Sequence, residues 1–131
     1  SFAKAQSAIS GSSVVGSPQF SVNLAVLSNT NHSAADEFVD EAERYERDGD
    51  FDNAAVMLGK AANEYQQDKK FSSYGATLIR LSNVHLLLSN YGEAEQIVLK
   101  RVLKNYTKIG SRAGQMSAYQ QLGKIYFRLF N

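Results

Sequence analysis

The chain shows two patterns of apolar and polar residues, which meet near residue 33. From there to the end, apolar residues recur every three or four positions, a spacing that places them on one face of an α-helix. Turn residues interrupt this pattern four times, so it predicts five helices: residues 34–48, 51–68, 73–88, 91–109 and 112–131. Short connections favour antiparallel neighbours. The predicted fold class is therefore all-α, built from antiparallel helix hairpins.

Polar residues at the expected helix ends support these boundaries. Two pairs have the three-residue spacing of a capping box, in which side chains satisfy free backbone N–H groups: Ser33 with Asp36, and Asn90 with Glu93. Ser72 or Ser73 is expected to cap the third helix. Gly110 is expected to end the fourth helix in a left-handed conformation, and Ser111 to cap the fifth.

Residues 1–33 form a separate region, a serine-rich leader whose only charged residue is Lys4. Its composition is typical of a flexible segment. One stretch alternates apolar and polar residues with the period of two that indicates an extended segment, with these apolar members: Phe20, Val22, Leu24 and Val26. A two-faced extended segment of this kind could lie in a groove of the helical region, as a self-inhibiting or substitute ligand.

The helical region contains a long internal repeat. Gly49-Asp50-Phe51 is followed by Ala54, and Ser89-Asn90-Tyr91 is followed by Ala94 at the same spacing. A partial third copy contains Leu122-Gly123 and Tyr126. One helix pair cannot bury its apolar face alone, so a repeat that spans two helices predicts stacked pairs.

The repeat pattern resembles the tetratricopeptide repeat. The residues that carry the resemblance in the first repeat are Phe38, Ala42, Tyr45, Gly49, Asp50, Phe51, Ala54, Leu58 and Ala61. The separation of Ala54 from Ala94 exceeds the usual repeat length of this family, and it is similar to the long-helix variant found in SNAP-type vesicle-fusion adaptors and in cell-polarity scaffolds. The resemblance covers about residues 34–131 and implies a solenoid of two and a half repeats. Because the fifth helix lacks a partner, the chain is expected to be a fragment of a longer protein, or the fifth helix to act as a cap.

The resemblance also implies a concave groove lined by the first helix of each pair, with Glu43, Glu46 and Gln121 among its lining positions. The expected partner-binding residues are Ile79, Arg80, Asn83, Leu86, Leu87, Gln120, Lys124, Phe127 and Arg128. The basic members would pair with a carboxylate of the partner, and Asn83 would hydrogen-bond its backbone. An alternative is that Ile79, Leu86 and Leu87 are core residues, because the third helix is apolar nearly all round. Val39 and Glu43 stand where the chaperone-binding subclass has lysine and asparagine, so a chaperone-type acidic tail is not the expected partner.

Charge is distributed unevenly along the chain although the net charge is only +1. Residues 36–52 contain nine acidic and two basic residues, whereas residues 96–131 contain seven basic and no acidic ones. The basic end is a solvated helix surface or a contact for an acidic partner, a membrane surface or a second copy of the chain. Basic and aromatic residues are not interleaved as in nucleic-acid modules, so no nucleic-acid binding is expected.

Candidate chemistry changes this picture little. The chain has no cysteine and two histidines, so no metal site and no cofactor are expected. No pairing of a nucleophile with a base can be assembled, so the chain is not expected to be an enzyme. No stretch is long and apolar enough for a membrane span, and a cytoplasmic location is expected.

The leading hypothesis is a protein-interaction scaffold that holds a peptide or amphipathic helix. The alternative is a structural subunit held by its outer faces.

Overall fold

Residues 33–131, which the computed structural model describes, form five helices and no strand. Their bounds are α1, Ala34–Arg47; α2, Phe51–Gln67; α3, Phe71–Leu87; α4, an α-helix at Tyr91–Ile97 that continues as a π-helix at Val98–Val102 and an α-helix at Leu103–Lys108; and α5, Arg112–Phe130. The all-α prediction is confirmed for this part of the chain. The extended segment predicted around Phe20, Val22, Leu24 and Val26 lies outside the described residues.

The four turns between helices share one geometry. Each has a residue with positive φ, at Gly49, Lys69, Ser89 and Gly110. The next N–H donates to the carbonyl five residues earlier over 2.8–2.9 Å, as in the bond from Asp50 to Tyr45. This is the Schellman arrangement, which satisfies carbonyls left unpaired at a helix end. Because the four turns are spaced almost evenly along the chain, the structural unit of the sequence repeat is a half-repeat of one helix and one turn.

Two helix starts differ from the prediction. The third helix begins at Phe71, so its N-cap is Lys70 rather than Ser72 or Ser73, and Lys70 gives no side-chain hydrogen bond to the first turn. Asn90 is the N-cap of α4, but its side chain lies 3.4 Å from His85 Nδ1 instead of accepting from the helix. The cap predicted at Ser111 is confirmed, since its Oγ accepts from the Gly114 N–H at 3.0 Å.

The core follows the same half-repeat. Side chains at equivalent positions of successive half-repeats are fully buried in two series: Leu58, Leu78, Val98 and Ala118; and Ala42, Ala62, Ser82 and Val102. The first series fills space between the helices, and the second is mostly small, which lets helix backbones approach each other. Consecutive helices pack together, and α5 packs on both α3 and α4. None of the described helices has the length and apolar character that crossing a membrane requires.

The π-helix in α4 has a cause in the spacing of buried residues. In α2 the buried face runs from Ala54 to Tyr65, a separation close to three turns of an ordinary α-helix. In α4 the equivalent face runs from Ala94 to Tyr106, which is one position longer. The additional residue is absorbed where the Leu103 N–H donates to the carbonyl of Val98, five residues earlier. A single-residue insertion of this kind is what a π-bulge accommodates.

Candidate functional site

The first, third and fifth helices together form one pocket of about 200 Å³, which we call the central pocket. Its lining residues are Glu46 from α1; Ile79, Arg80 and Asn83 from α3; and Gln121 and Lys124 from α5. Four residues that the sequence predicted for a groove therefore lie together: Ile79, Arg80, Asn83 and Lys124. Glu46 and Gln121 lie at groove positions that the resemblance implies, although they were not among the expected partner-binding residues.

Arg80 occupies the middle of the central pocket and is already paired with acidic residues of α1. Its Nη1 atom lies 3.6 Å from Glu43 Oε2, and its Nη2 atom lies 3.5 Å from Glu46 Oε2. The Arg80 side chain is 34% exposed, so each ion pair is partly screened by water. A partner carboxylate could reach this guanidinium only by sharing it with, or displacing, two carboxylates of the chain.

Lys124 is in a different position because its neighbour is neutral. Its Nζ donates to Asn83 Oδ1 over 3.2 Å, which joins α5 to α3 without neutralising the ammonium charge. The Asn83 amide nitrogen makes no hydrogen bond to any residue in 33–131, so it is left for a backbone carbonyl of a ligand. The pocket thus presents one cation that no carboxylate of residues 33–131 pairs with, Lys124, beside one amide donor, Asn83.

A buried polar chain supports this end of the pocket. Gln121 Nε2 donates to Ser82 Oγ over 3.2 Å, and Ser82 Oγ donates to the carbonyl of Ala94 over 2.9 Å. Both side chains are almost completely buried, so these bonds satisfy groups that would otherwise cost free energy. They tie α5, α3 and α4 together, which fixes the position of Lys124 relative to Asn83.

The other predicted groove residues are divided between the core and the surface. Leu86 is 1% exposed and belongs to the core, because the third helix is buried on more than one face. Leu87 is 45% and Phe127 is 68% exposed. Arg128 is also exposed. Gln120 lines a separate surface pocket on α5 with Met116 and Tyr119, among others.

A second pair of groups joins α1 to α2. The hydroxyl of Tyr65 donates to Asp36 Oδ1 over 2.5 Å. Burial of the hydroxyl, followed by this bond to a carboxylate, raises the pKa of Tyr65 to about 12. A hydrogen bond to Glu95 likewise raises the pKa of Tyr126, and burial raises that of Tyr106. Each of these tyrosines is therefore a neutral hydrogen-bonding group at physiological pH.

No group of three or more histidine, aspartate or glutamate side chains in residues 33–131 is arranged to hold a metal ion. Glu43 and Glu46 were expected at groove positions, but their pairing with Arg80 was not, because only the fold brings these side chains of α1 to α3. The signal available was their spacing, since two glutamates three positions apart share one face of an acidic helix.

The chain matches no protein-family model, no curated protein and no solved structure. The likeness to tetratricopeptide repeats accordingly rests on the repeat pattern of the sequence.

Proposed function

We propose that this chain is a protein-interaction scaffold whose helices stack as a tetratricopeptide-type solenoid, and that the central pocket is part of the groove in which it holds a peptide or amphipathic helix. The observation that carries the proposal is the convergence of α1, α3 and α5 on one pocket. In a solenoid of helix hairpins these are the first helices of successive pairs, the ones that line the concave face. The even half-repeat of one helix and one turn supports the same arrangement.

The side chains of the central pocket indicate what the partner presents. A carboxylate suits Lys124, whose only bonded neighbour in residues 33–131 is the neutral amide of Asn83. A main-chain carbonyl suits the Asn83 amide nitrogen. One turn further along α3 and α5, Leu87 and Phe127 expose apolar surface on the same helix faces. A segment with an acidic residue and an apolar residue about one helical turn apart fits this arrangement.

The test compares two substitutions with the same change in charge. Lys124→Glu places a carboxylate in the central pocket, whereas Lys60→Glu places one on the exposed surface of α2. A partner is first captured from a native extract with the 131-residue chain, identified, and then titrated against both variants. We expect Lys124→Glu to weaken binding roughly tenfold or more, since a charge-assisted bond becomes a repulsion. Lys60→Glu is expected to bind as the unchanged chain does.

Retention of full affinity by Lys124→Glu, with its circular dichroism spectrum unchanged, would show that the captured protein binds elsewhere. The groove proposal would then fail for that partner, and the outer faces of the helices would become the binding surface.

The alternative function, a structural subunit of a larger helical assembly, is favoured by one observation on α5. Met116 and Tyr119 are three positions apart on α5, line one surface pocket, and are 63% and 62% exposed. Phe130, which is three helical turns further along the same face, is exposed as well. Helix α5 therefore presents an apolar face that a further helix could cover.

Substitution on this face separates the two functions. Met116→Lys with Tyr119→Lys should abolish incorporation into an assembly if α5 is a contact between subunits. The same variant should leave peptide capture by the central pocket unchanged. Size-exclusion chromatography of the assembly and titration of the captured partner measure the two effects independently.

A further inference from the structure

A second pocket lies between the start of α3 and the second half of α4, and we call it the basic pocket. Its volume is about 550 Å³, within the range of small-molecule sites in proteins. Four of its lining residues are cations, and none is a carboxylate: Lys100, Arg101, Lys104 and Lys108. No carboxylate in residues 33–131 forms an ion pair with any of these four. Their charges are therefore not compensated within the described part of the fold.

The basic pocket has a structured apolar floor beneath these cations. Phe71 and Tyr74 come from α3, and Ile109 comes from the end of α4. Tyr74 is only 6% exposed, and its hydroxyl accepts from Arg101 Nε over 3.4 Å. Asn105 Nδ2 donates to the carbonyl of Phe71 over 2.9 Å and so links the two helices across the pocket. These two bonds hold Arg101 and the floor of the pocket in place between α3 and α4.

The π-helix of α4 places two of the cations. Lys100 and Arg101 both lie within Val98–Val102, and the Arg101 guanidinium lies 5.8 Å from the centre of the Tyr74 ring. A regular α-helix would turn these side chains to a different angle around the axis, because it has fewer residues in each turn. π-Bulges occur frequently at functional sites, and this one coincides with the cation cluster.

The start of α3 adds to the positive potential. Phe71, the first residue of α3, lines the basic pocket, and the preceding residue, Lys70, makes no side-chain hydrogen bond to the first turn. By contrast, α2 and α5 each have a side-chain cap, at Asp50 and Ser111. The positive end of the α3 dipole therefore receives no acceptor from the side chain of its N-cap residue.

We propose that the basic pocket binds a small organic polyphosphate, a ring or short chain that carries at least two phosphate groups. Two phosphates supply about four negative charges, which matches the four cations. The phosphate oxygens accept from the lysine and arginine N–H groups. The apolar floor of Phe71 and Tyr74 receives the carbon skeleton. The hydroxyl proton of Tyr74 has no acceptor in residues 33–131, so it can donate to a ligand oxygen.

The geometry favours this ligand class over an acidic peptide. All four cations lie in the second half of α4 and converge on a single cavity. A peptide would have to bring three or four carboxylates into that one cavity, where they would repel each other before binding. A compact molecule with covalently linked phosphates already holds its charges at the required density. The same chemistry occurs in soluble inositol phosphates and in phosphoinositide lipid headgroups, so the experiment has an arm for each.

Isothermal titration of the 131-residue chain with inositol 1,4,5-trisphosphate tests the proposal directly, and co-sedimentation with vesicles containing phosphatidylinositol 4,5-bisphosphate tests the lipid source. The variant is Lys100→Glu with Lys104→Glu, both at exposed positions. The matched control is Lys60→Glu with Arg112→Glu, which makes the same change in net charge at exposed positions outside the basic pocket. We expect the variant to weaken binding roughly tenfold or more, and the control to stay within about twofold.

Lys100→Gln with Lys104→Gln repeats the test without a charge reversal, and circular dichroism reports whether each variant is folded. Binding of the soluble trisphosphate alone assigns a soluble ligand. Sedimentation with bisphosphate vesicles, but not with phosphatidylserine vesicles of equal charge, assigns a headgroup, and both results support the proposal. The proposal is overturned if neither probe binds, if the control weakens binding as much as the variant, or if an oligoglutamate peptide binds more tightly than the trisphosphate.

Discussion

The central pocket and the basic pocket both contain cations, but these cations have different neighbours. In the central pocket Arg80 is shared between Glu43 and Glu46, and Lys124 donates to Asn83. In the basic pocket Lys100 and Lys104 have no bonded partner in residues 33–131. A cation that is paired within the fold contributes to helix packing, whereas an unpaired cluster is held together against its own repulsion. Arg80 thus has its charge paired within the fold, whereas Lys100 and Lys104 do not.

The difference arises from how acidic residues are placed along the chain. They are concentrated in α1 and the turn after it, and α1 lies beside α3, so its carboxylates reach Arg80. No acidic residue follows Glu95. The basic pocket is formed by the start of α3 and the second half of α4, where neither segment offers a carboxylate. A ligand of the basic pocket would not compete with an internal ion pair, but a partner carboxylate at Arg80 would.

The largest expected effect is on the packing of the Tyr106 side chain of α4 against α3 and α5. The Tyr106 ring lies between Gly75 and Gly114, and a Cβ atom added to either glycine would come within 3.0 Å of ring atoms, closer than real Cβ atoms approach a neighbour. We expect Gly114→Ala to lower the free energy of unfolding by about 3 kcal/mol, because a rigid buried ring has to move. Urea denaturation followed by circular dichroism measures this change.

Gly123→Ala is the matched control for that prediction, since Gly123 is in the same helix and a Cβ there meets nothing within 4 Å. We expect it to raise the free energy of unfolding by about 0.5–1 kcal/mol, because alanine favours the helical state over glycine. Equal effects of the two substitutions would contradict the position of Tyr106 between α3 and α5.

The second largest effect is expected at the hydrogen bond from Tyr65 of α2 to Asp36 of α1. Tyr65 has a folded-state pKa of about 12, above its ordinary value of 10.0. Its neutral form is therefore favoured by folding, so its contribution is complete below about pH 10 and is lost as the pH rises towards 12. We expect Tyr65→Phe to lower the free energy of unfolding at neutral pH by about 1–2 kcal/mol, because Asp36 loses a hydrogen bond. The variant should also show a smaller decline in stability at alkaline pH.

Urea denaturation at neutral and alkaline pH measures both effects of Tyr65→Phe. Tyr119→Phe is the control, because the Tyr119 side chain is largely exposed. An alkaline decline that is identical in Tyr65→Phe and the unchanged chain would assign the loss of stability to other tyrosines, among them Tyr106 and Tyr126, whose pKa values are also raised.

The sequence was sufficient for the helices because their signals are local. Apolar periodicity located the helices, and Gly49 and Gly110 located two of the turns between them. The predicted start of α3 was wrong. That prediction relied on Ser72 and Ser73, which are good capping residues. The turn is instead set by the positive φ at Lys69, whose position follows the half-repeat rather than the residue type. The π-helix was detectable in principle from Ala94, Val98, Val102 and Tyr106, whose strict spacing of four exceeds the period of an α-helix.

The candidate sites depended on packing and were less predictable. Ile79, Arg80, Asn83 and Lys124 could be assigned to one surface through the repeat pattern, and the structure brings them together. Leu86 could not be separated from Leu87 by pattern, because α3 has neighbours on more than one side. The basic pocket required Tyr74 and Arg101 to meet across a long separation in sequence, which no local signal indicates.

The smallest expected effect is a difference in stability between two variants, each of which replaces a basic residue of one pocket by glutamine. We expect Arg80→Gln to lower the free energy of unfolding by about 0.5–1 kcal/mol at low salt, since its exposed ion pairs with Glu43 and Glu46 are lost. We expect Lys100→Gln to change it by less than about 0.3 kcal/mol, or to raise it, because removing one unpaired cation relieves repulsion within the cluster. Urea denaturation at low and at high salt should show the two variants converging, because screening weakens attraction and repulsion alike. If Lys100→Gln instead destabilised the chain as much as Arg80→Gln, the cations of the basic pocket would be serving the fold, and they would no longer be charges held for a ligand.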